Sequence, residues 1–295
     1  MGLRDKRGED GKILKFKARY VACGYSQKPG IDFQETFAGV VVAKTFRIML
    51  SILNESPSHK MEHWDVKMAF TVAPLEETLY MAEPDGYEKG EKGEFVCLLK
   101  KSLYGLKQSA RNWQQLLEKY FFGAGFSRSR ADPCLYFKID ALGFCLISTH
   151  VDDIFVLYSE KGKLHADILR KEFFSEITVE NLGPISWALK TAILWDRERG
   201  ILKISQEQFT TEYLEKQTLT PPSQKRKISS PNFPENLAYC ARLDAVDESL
   251  KNNFQKDIGS FWWLAQISRP DIFYAVHRCA KLINQPTLRL GQRIQ

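Results

Sequence analysis

The sequence lacks the segments that direct a protein into or across a membrane. No apolar stretch reaches the roughly 18–20 residues that a membrane-spanning helix requires. The first residues, MGLRDKRGEDGKILKFK, are charged and contain no apolar core of a secretory signal. We therefore expect a soluble protein that is not secreted and that has no membrane partner.

The sequence also lacks the cysteine spacing of a domain that is held together by a structural metal ion. No two cysteines form a C-x-x-C pair, and no histidine stands at ligand spacing from one, which argues against structural zinc. The simplest interpretation is a reducing compartment inside the cell. The six cysteines are scattered at Cys23, Cys97, Cys134, Cys145, Cys240 and Cys279.

Basic residues outnumber acidic residues only slightly. There are 42 Lys and Arg against 36 Asp and Glu, which gives a net charge of +6. This surplus is compatible with a polyanionic partner, but many proteins without such a partner carry a similar charge. With 295 residues and 44% hydrophobic content, the chain is long enough for a sizeable core and for more than one domain.

Strand-like and helical segments together predict a mixed α and β fold. The strongest helical pattern follows Ser109, which we expect to cap the helix, and ends at Gly123 or Gly125. Other helices are predicted over residues 46–53, 164–174, 258–264 and 272–283. Short apolar runs predict strands over residues 16–23, 61–66, 95–99 and 201–204. The proline-rich basic segment 218–236 is typical of a linker or exposed loop.

Residues 144–158 contain an Asp-Asp pair between two apolar runs. This pattern predicts two buried strands joined by a tight acidic turn at Asp152 and Asp153. Neighbouring carboxylates lose hydration and repel each other when buried, and a divalent cation removes that cost. Asp65, at the end of the strand 61–66, is the candidate third carboxylate. The local pattern alone also fits a solvated hairpin turn and a strand-end cap.

Several short motifs follow one another in order along nearly the whole chain. They are KARYVACGYSQ at 17–27, GIDFQETF at 30–37, DVKMAF at 65–70, LEETLYM at 75–81, KSLYGLKQ at 101–108, HVDD at 150–153 and RPDIFYAV at 269–276. KSLYGLKQ is the most specific of them, and their number and order make chance agreement improbable. In this order they resemble the reverse transcriptase domain of copia-type retrotransposon Pol polyproteins.

The resemblance implies a right-hand polymerase of the α+β class, with fingers, an antiparallel-sheet palm and a helical thumb or connection. Partial fingers would occupy residues 1–60, the palm 61–200, and the thumb or connection 201–295. The implied partners are deoxynucleoside triphosphates and an RNA or DNA template with a primer. The implied cofactor is Mg²⁺, as two ions, with Mn²⁺ as the alternative. The implied location is a cytoplasmic particle or the nucleus, and the oligomeric state stays open.

The resemblance assigns the metal-binding catalytic carboxylates, position by position, to Asp65, Asp152 and Asp153. Phe70 takes the position that screens the sugar 2′-position of the incoming nucleotide. An aromatic residue there also suits an ordinary core.

The resemblance also implies contacts to the incoming nucleotide from two other segments. Lys17 and Arg19 would face the triphosphate, although charged residues there also suit a solvated strand face. Tyr104 and Gly105 would lie beneath the nascent base pair, with Lys107 close by. Tyr104 is equally compatible with packing on the following helix.

Some positions depart from the family pattern. His150 replaces a tyrosine that is expected to touch the primer end, and Lys190 stands where the family has a glycine near the primer-gripping hairpin. Residues 38–39, 71–74 and Ala110 also differ. None of these changes removes a metal ligand.

Two alternatives follow from these departures and from the content of the chain. Nothing in it resembles an RNase H, integrase, protease or capsid region, so we expect the polymerase portion only. One alternative is a catalytically decayed fragment that retains only binding to primer–template. The other is an α+β protein with incidental motif matches, which would leave Asp65 far from Asp152.

Overall fold

The computed structural model describes residues 2–7, 13–91, 93–216 and 248–284. The chain divides into two compact units, residues 1–185 and 186–295, and each contains a hydrophobic cluster of its own. The predicted loop at 218–236 lies outside the described residues.

The first unit alternates short strands with helices. Its helices are α1 (Ala43–Glu55), α2 (Ala69–Val72), α3 (Ser109–Gly123) and α4 (Lys163–Glu176). A 3-10 turn spans Gly24–Ser26. Its strands are β1 (Gly2–Arg7), β2 (Ile13–Arg19), β3 (Lys60–Val66), β4 (Pro74–Ala82), β5 (Val96–Lys101), β6 (Ser127–Arg128), β7 (Leu135–Asp140), β8 (Gly143–His150), β9 (Asp153–Tyr158) and β10 (Val179–Pro184).

A six-stranded sheet in the order β10-β3-β9-β8-β7-β6 forms the centre of this unit, and every neighbouring pair is antiparallel. Strands β7, β8 and β9 are joined by tight hairpins, as antiparallel neighbours allow. Strand β3 comes from much earlier in the chain and pairs between β9 and β10. β1–β2 and β4–β5 form separate two-stranded sheets.

One face of the central sheet packs against α3 and α4. Trp113, Leu117 and Phe121 of α3 are buried at the spacing of one helix face. They belong to a buried cluster with Leu169 and Phe173 of α4 and with residues from the alternate positions of β3 and β9. The residues of β3 and β9 in this cluster are Trp64, Val66, Ile154, Val156 and Tyr158.

The opposite face of the sheet is partly covered by α1. Met49, Leu50 and Leu53 of this helix are buried, and the ring of Phe46 meets the ring of Phe155 edge-on at 5.0 Å. Because β9 is therefore buried on both faces, its sequence DIFVLY is an apolar run after its first residue and does not alternate.

Both ends of the central sheet are short or irregular. Strand β6 consists only of Ser127 and Arg128. At the other end, the pairing of β10 with β3 shifts between Asn181 and Pro184, and Gly183 between them has a φ of 83°. A proline removes one ladder hydrogen bond, which is why it is found at sheet edges.

A single carboxylate, that of Glu62, joins four elements beneath the sheet. It accepts hydrogen bonds from the Tyr158 hydroxyl at 2.5 Å, the Arg170 guanidinium at 2.5 Å, the Trp64 indole at 2.9 Å and the Asn181 amide at 3.0 Å. Burial alone would raise the pKa of Glu62, but the hydrogen bonds from Tyr158, Trp64 and Arg170 and the positive charge of Arg170 outweigh it and lower the pKa. The carboxylate thus ties β3 to β9, α4 and β10.

The second unit contains a three-stranded sheet and helices. Strands β11 (Trp187–Ala188), β12 (Thr191–Asp196) and β13 (Ile201–Ser205) are joined in chain order by antiparallel pairing. Helix α5 (Glu207–Lys216) follows, and α6 (Glu248–Ile267) packs on α7 (Phe273–Ala280) around Phe254, Ile258 and Cys279. No helix in the described ranges is both long enough and apolar enough to span a bilayer.

The predicted elements largely agree with the observed ones, with three corrections. The turn predicted at Asp152 and Asp153 lies at Val151 and Asp152, because Asp153 already pairs with His150 as the first residue of β9. Ser109 does not cap α3: it is the first helical residue after Gln108, and its hydroxyl donates to the Leu103 carbonyl at 2.6 Å. The strand predicted over 16–23 ends at Arg19, because the chain then turns through the segment Gly24–Ser26. The mixed fold with antiparallel sheets agrees with the sequence, whereas the division into fingers, palm and thumb stays a prediction.

Replacing Glu62 by glutamine should destabilise the first unit by about 2–4 kcal/mol, because Arg170 loses the closer and more buried of its two carboxylate partners and keeps only Asp167. Since the folded pKa is lowered, this stability is present above the ordinary pKa of 4.5 and is lost as the pH falls through the folded value. Urea unfolding at several acid pH values measures both effects. Equal pH slopes below 4.5 for wild type and Glu62→Gln would contradict the assignment.

Replacing Lys190 by glycine should stabilise the β11–β12 hairpin by about 0.5–1 kcal/mol. Leu189 and Lys190 form the two-residue turn and have φ values of 49° and 57°, a left-handed conformation that glycine adopts without strain. Thermal unfolding followed by tryptophan fluorescence measures the effect. The matched control is Lys203→Gly inside β13, which should lower stability by about 0.5–1 kcal/mol. A lower melting temperature for Lys190→Gly would show that the turn is not strained.

Candidate active site

Asp65 and Asp153 face each other across two neighbouring strands. The register of β3 and β9 pairs Asp65 directly with Asp153. Directly paired residues of antiparallel strands project from the same face of the sheet, with Cβ atoms about 4.5–5.5 Å apart. Both side chains are about one-third exposed, at 30% for Asp65 and 35% for Asp153. The sheet therefore presents two carboxylates side by side, on the face opposite α3 and α4.

Asp152 occupies the tight turn between β8 and β9. The turn consists of Val151 and Asp152, because His150 and Asp153 form the last pair of the ladder. Val151 has a φ of 57°, which is costly for a β-branched residue, by about 1–3 kcal/mol. Hydrogen bonds hold the turn on both sides: Trp113 donates to the Val151 carbonyl at 2.8 Å, and the Val66 amide donates to the Asp152 carbonyl at 2.9 Å.

The same register extends the row of polar side chains in both directions. Glu180 of β10 pairs with Asp65, and His150 of β8 pairs with Asp153. His150 is half-buried, and burial lowers its pKa in spite of the opposing effect of the Asp153 charge. Its Nδ1 atom is buried and has no hydrogen-bond partner among the described residues.

Two basic side chains contact the carboxylates. Lys67 donates to Asp65 and, at 2.7 Å, to Glu180. The hydrogen bonds to these two carboxylates raise the pKa of Lys67. The hydrogen bond from Lys67 in turn lowers the pKa of Glu180. His63 Nε2 lies 2.7 Å from Asp153 Oδ1.

Sequence reasoning missed His63, Lys67 and Glu180 as members of the site. His63 and Asp65 alternate with the buried Trp64 and Val66 along β3, and Lys67 continues the alternation directly after the last residue of the strand. The two-residue period of a strand was therefore sufficient to place His63 and Lys67 beside Asp65. No comparable signal identifies Glu180, because its place depends on the register of β10.

A stack of aromatic and guanidinium groups stands close to the carboxylates. The Arg19 guanidinium lies 5.2 Å from the centre of the Tyr104 ring, and the Phe70 ring meets Tyr104 edge-on at 5.1 Å. Burial raises the pKa of Tyr104, and the negative charges of Asp152 and, more weakly, Asp65 raise it further. Phe70 also packs against the core beside α3. The predicted residues Arg19, Phe70 and Tyr104 are thus brought together near the acidic row.

Gly105 allows two backbone segments to approach closely. It has a φ of 94°, and a Cβ atom there would lie 2.1 Å from the Ala22 carbonyl oxygen. Gly24 is similarly close, since its Cβ atom would lie 1.9 Å from the Gly105 oxygen. The Ala22 amide donates to the Tyr104 carbonyl at 2.8 Å. The segment that follows Arg19 is therefore fastened to the turn that carries Tyr104.

The remaining predicted residues lie at the edge of this arrangement. Lys17 lies in β2, where its backbone pairs with Arg4. Lys107 is exposed, with its ammonium group 4.7 Å from the centre of the Phe33 ring and its amide donating to Gln27 at 2.8 Å. Lys107 thus helps to fasten the same two segments.

The donor atoms of the row suit a hard divalent cation. Carboxylate oxygens are the ligands that Mg²⁺ prefers, and Asp65 and Asp153 project from one face with Asp152 in the adjoining turn. In the described ranges, no three His, Cys, Asp or Glu groups are gathered as a ready metal site. Basic side chains from Lys67 and His63 contact the Asp65 and Asp153 carboxylates instead. The residue types and the strand register fit metal binding, which would require the Lys67 ammonium to leave Asp65.

Comparison with known proteins identifies relatives of the chain. A sequence profile of the family described as reverse transcriptase (RNA-dependent DNA polymerase) matches residues 3–228. The chain is 32% identical over 289 residues to the retrovirus-related Pol polyprotein from transposon TNT 1-94 of Nicotiana tabacum, which covers 95% of the chain and 21% of that polyprotein.

Two further relatives come from a plant and a yeast. Identity is 30% over 285 residues to the retrovirus-related Pol polyprotein from transposon RE1 of Arabidopsis thaliana, with 96% of the chain and 18% of that protein covered. It is 28% over 282 residues to the transposon Ty1-BL Gag-Pol polyprotein of Saccharomyces cerevisiae, with 92% and 15% covered. The chain spans about a fifth or less of the length of these relatives. No solved structure matches it.

The chain therefore belongs to the reverse transcriptase family, as a reverse transcriptase domain of the copia-type retrotransposon Pol polyproteins. The family predicted from the order of the motifs is confirmed. The alternative of an unrelated protein with incidental matches is wrong, since the profile covers most of the chain and the register places Asp65 opposite Asp153.

Replacing Gly105 by alanine should destabilise the first unit by about 2–4 kcal/mol, because the new Cβ atom collides with the Ala22 carbonyl and the left-handed backbone disfavours it. Denaturant unfolding of the full chain measures the change. The control is Gly123→Ala at the end of α3, where the Cβ atom meets nothing within 4 Å, and the change should stay within about 0.5 kcal/mol. Equal midpoints for wild type and Gly105→Ala would contradict the close approach.

Proposed function

We propose that this chain is an RNA-directed DNA polymerase that extends a primer annealed to an RNA or DNA template. The primer 3′-hydroxyl oxygen attacks the α-phosphorus of a deoxynucleoside triphosphate, a new phosphodiester bond forms, and pyrophosphate leaves. One observation carries the proposal: in a member of the reverse transcriptase family, Asp65 stands opposite Asp153 on one sheet face, with Asp152 in the adjoining turn.

Asp65, Asp152 and Asp153 are the residues that would hold two Mg²⁺ ions, with Mn²⁺ as the alternative. When bound, such ions lower the pKa of the attacking hydroxyl and stabilise the leaving pyrophosphate. The protein contributes a preformed register, so that the carboxylates do not have to be gathered by the substrate. The strained Val151 keeps Asp152 at the tip of the hairpin.

The residues around Tyr104 are suited to holding the incoming nucleotide. Arg19 carries a permanent positive charge, held over the Tyr104 ring, with which to bind the triphosphate. Lys17, two residues earlier on β2, would add a second charge. Tyr104 and Gly105 would support the nascent base pair, and Phe70, edge-on to Tyr104, would screen the sugar 2′-position.

His150 would contact the primer end. It pairs with Asp153 in the ladder, and burial lowers its pKa, which favours the neutral imidazole. A neutral ring adds no positive charge to the row of carboxylates. It can therefore take the place of an aromatic side chain beside the primer without displacing a cation.

The wider assignments follow from family membership. Fingers in 1–60, a palm in 61–200 and a thumb or connection in 201–295 remain part of the proposal, as does a location in cytoplasmic particles or the nucleus. The boundary between the two compact units lies after residue 185, within the proposed palm range. The second candidate function is primer–template binding by a decayed copy, which is favoured by His150 in place of a tyrosine.

Primer extension with and without Mg²⁺ tests the function. Wild type should extend a primer on RNA only with the metal, and Asp152→Asn should lower kcat at least about 10³-fold, since a lost metal ligand removes about 4 kcal/mol of transition-state stabilisation. The matched control is Asp167→Asn on α4, on the opposite side of the sheet from Asp65 and Asp153, which should extend normally.

Two results would contradict the polymerase assignment. Equal extension by wild type and Asp152→Asn would remove Asp152 from the site. Salt-sensitive binding of primer–template without any Mg²⁺-dependent extension would instead support the decayed fragment.

A further inference from the structure

His63 lies on the same face of β3 as Asp65, two residues earlier in the chain. In the register of β3 and β9, His63 pairs with Phe155, and Asp65 pairs with Asp153. His63 and Asp153 are therefore diagonal neighbours across the two strands, about 7–8 Å apart at the backbone and within reach of a long side chain. The register alone brings the imidazole to the Asp153 carboxylate.

The contact between the two side chains is short, and its direction is defined. His63 Nε2 and Asp153 Oδ1 are 2.7 Å apart. An ionised carboxylate can only accept hydrogen bonds, so the proton of this bond is on Nε2. The bond is charge-assisted, a kind that is roughly twice as strong as one between neutral groups.

The imidazole is itself held in place. Only 13% of the His63 side chain is exposed, and its ring packs on the Phe155 ring at 4.9 Å. Phe155 is fully buried and contacts Phe46 of α1. A ring wedged against this cluster has little rotational freedom, so its Nε2 atom offers a fixed donor to Asp153.

Lys67 differs from His63 in this respect. Its side chain is 47% exposed and shared between Asp65 and Glu180. A flexible exposed ammonium group can follow the carboxylate or leave it at little cost. Lys67 therefore neutralises the charge of Asp65 and Glu180 without holding either carboxylate in one orientation. The constrained ring of His63 is suited to holding Asp153 in one orientation.

We propose that His63 is a positioning residue for Asp153: by donating to Oδ1 it holds the carboxylate in one rotamer and leaves Oδ2 for the bound cation. The inference rests on the proposed function, since it assumes that Asp153 is a metal ligand. Removing a group that hydrogen-bonds to a metal ligand commonly lowers metal affinity or activity by roughly 10–100-fold.

The test compares three variants of the full chain. His63→Leu keeps an apolar side chain of comparable size on Phe155 but removes the donor, and His63→Gln restores an N–H donor at a similar distance. His59→Leu is the matched control: this histidine precedes β3, and its Nδ1 atom contacts the Ile52 carbonyl at 2.7 Å, away from the carboxylates. Far-UV circular dichroism and melting temperature show whether each variant is folded.

Two readouts separate positioning from a structural role. Mn²⁺ binding is titrated without nucleic acid, by the electron paramagnetic resonance signal of the free ion. Steady-state primer extension gives kcat and the KM for the deoxynucleoside triphosphate. His63→Leu should weaken Mn²⁺ binding and lower kcat by about 10–100-fold with an unchanged KM. His63→Gln should recover at least half of the loss on a logarithmic scale, and His59→Leu should match wild type.

Each outcome has a defined meaning. If folded His63→Leu binds Mn²⁺ and extends primers as wild type does, the positioning role is wrong while the polymerase assignment stands. If His63→Gln is as impaired as His63→Leu, the hydrogen bond is not the reason, and the role is again wrong. If wild type neither binds Mn²⁺ nor extends primers, the proposed function fails, and the inference falls with it.

Discussion

The register between β3 and β9 is the constraint on which the site depends. Backbone hydrogen bonds place Asp65 opposite Asp153, and the same ladder places His63 diagonally from it. Slipping β3 by one residue would turn Asp65 toward the buried cluster beneath α3 and α4, where an unpaired carboxylate is costly, and would expose Trp64. The apolar pattern of β3 and the four donors on Glu62 therefore specify the same alignment.

A second constraint joins the segment after β2 to the turn at Tyr104. A Cβ atom on Gly24 would collide with the Gly105 oxygen, and a Cβ atom on Gly105 would collide with the Ala22 oxygen, so neither position has room for one. The contact between the two segments aligns the Arg19 guanidinium with the Tyr104 ring, which in turn meets Phe70. Arg19, Phe70 and Tyr104 are thus brought together because two backbone segments are in contact. The site therefore depends on the absence of side chains at Gly24 and Gly105 as well as on the side chains that are present.

Much of the fold could be predicted because its signals are local. The helical spacing of Phe46, Met49, Leu50 and Leu53 and the apolar runs around Asp152 are read directly from the sequence, and α1, β8 and β9 are found there. The pairing of β3 between β9 and β10 is not local, so neither the contact of His63 with Asp153 nor the place of Glu180 was predicted. The order of the family motifs, and not the spacing of the two residues along the chain, indicated that Asp65 and Asp152 belong to one site. The Ser109 cap failed because the helix starts one residue earlier than predicted, at Ser109 itself, and the residue before it is the buried Gln108, whose amide donates to the Asp32 carbonyl.

The irregular ends of the central sheet have a consequence for the chain among its neighbours. A strand edge with free amides and carbonyls can recruit another chain and begin aggregation. Here β6 offers two residues and β10 is interrupted at Gly183 and Pro184, so neither end presents a long, flat ladder to a second molecule. A sheet whose ends are closed in this way can remain separate from the sheets of other copies while its middle strands carry the carboxylates.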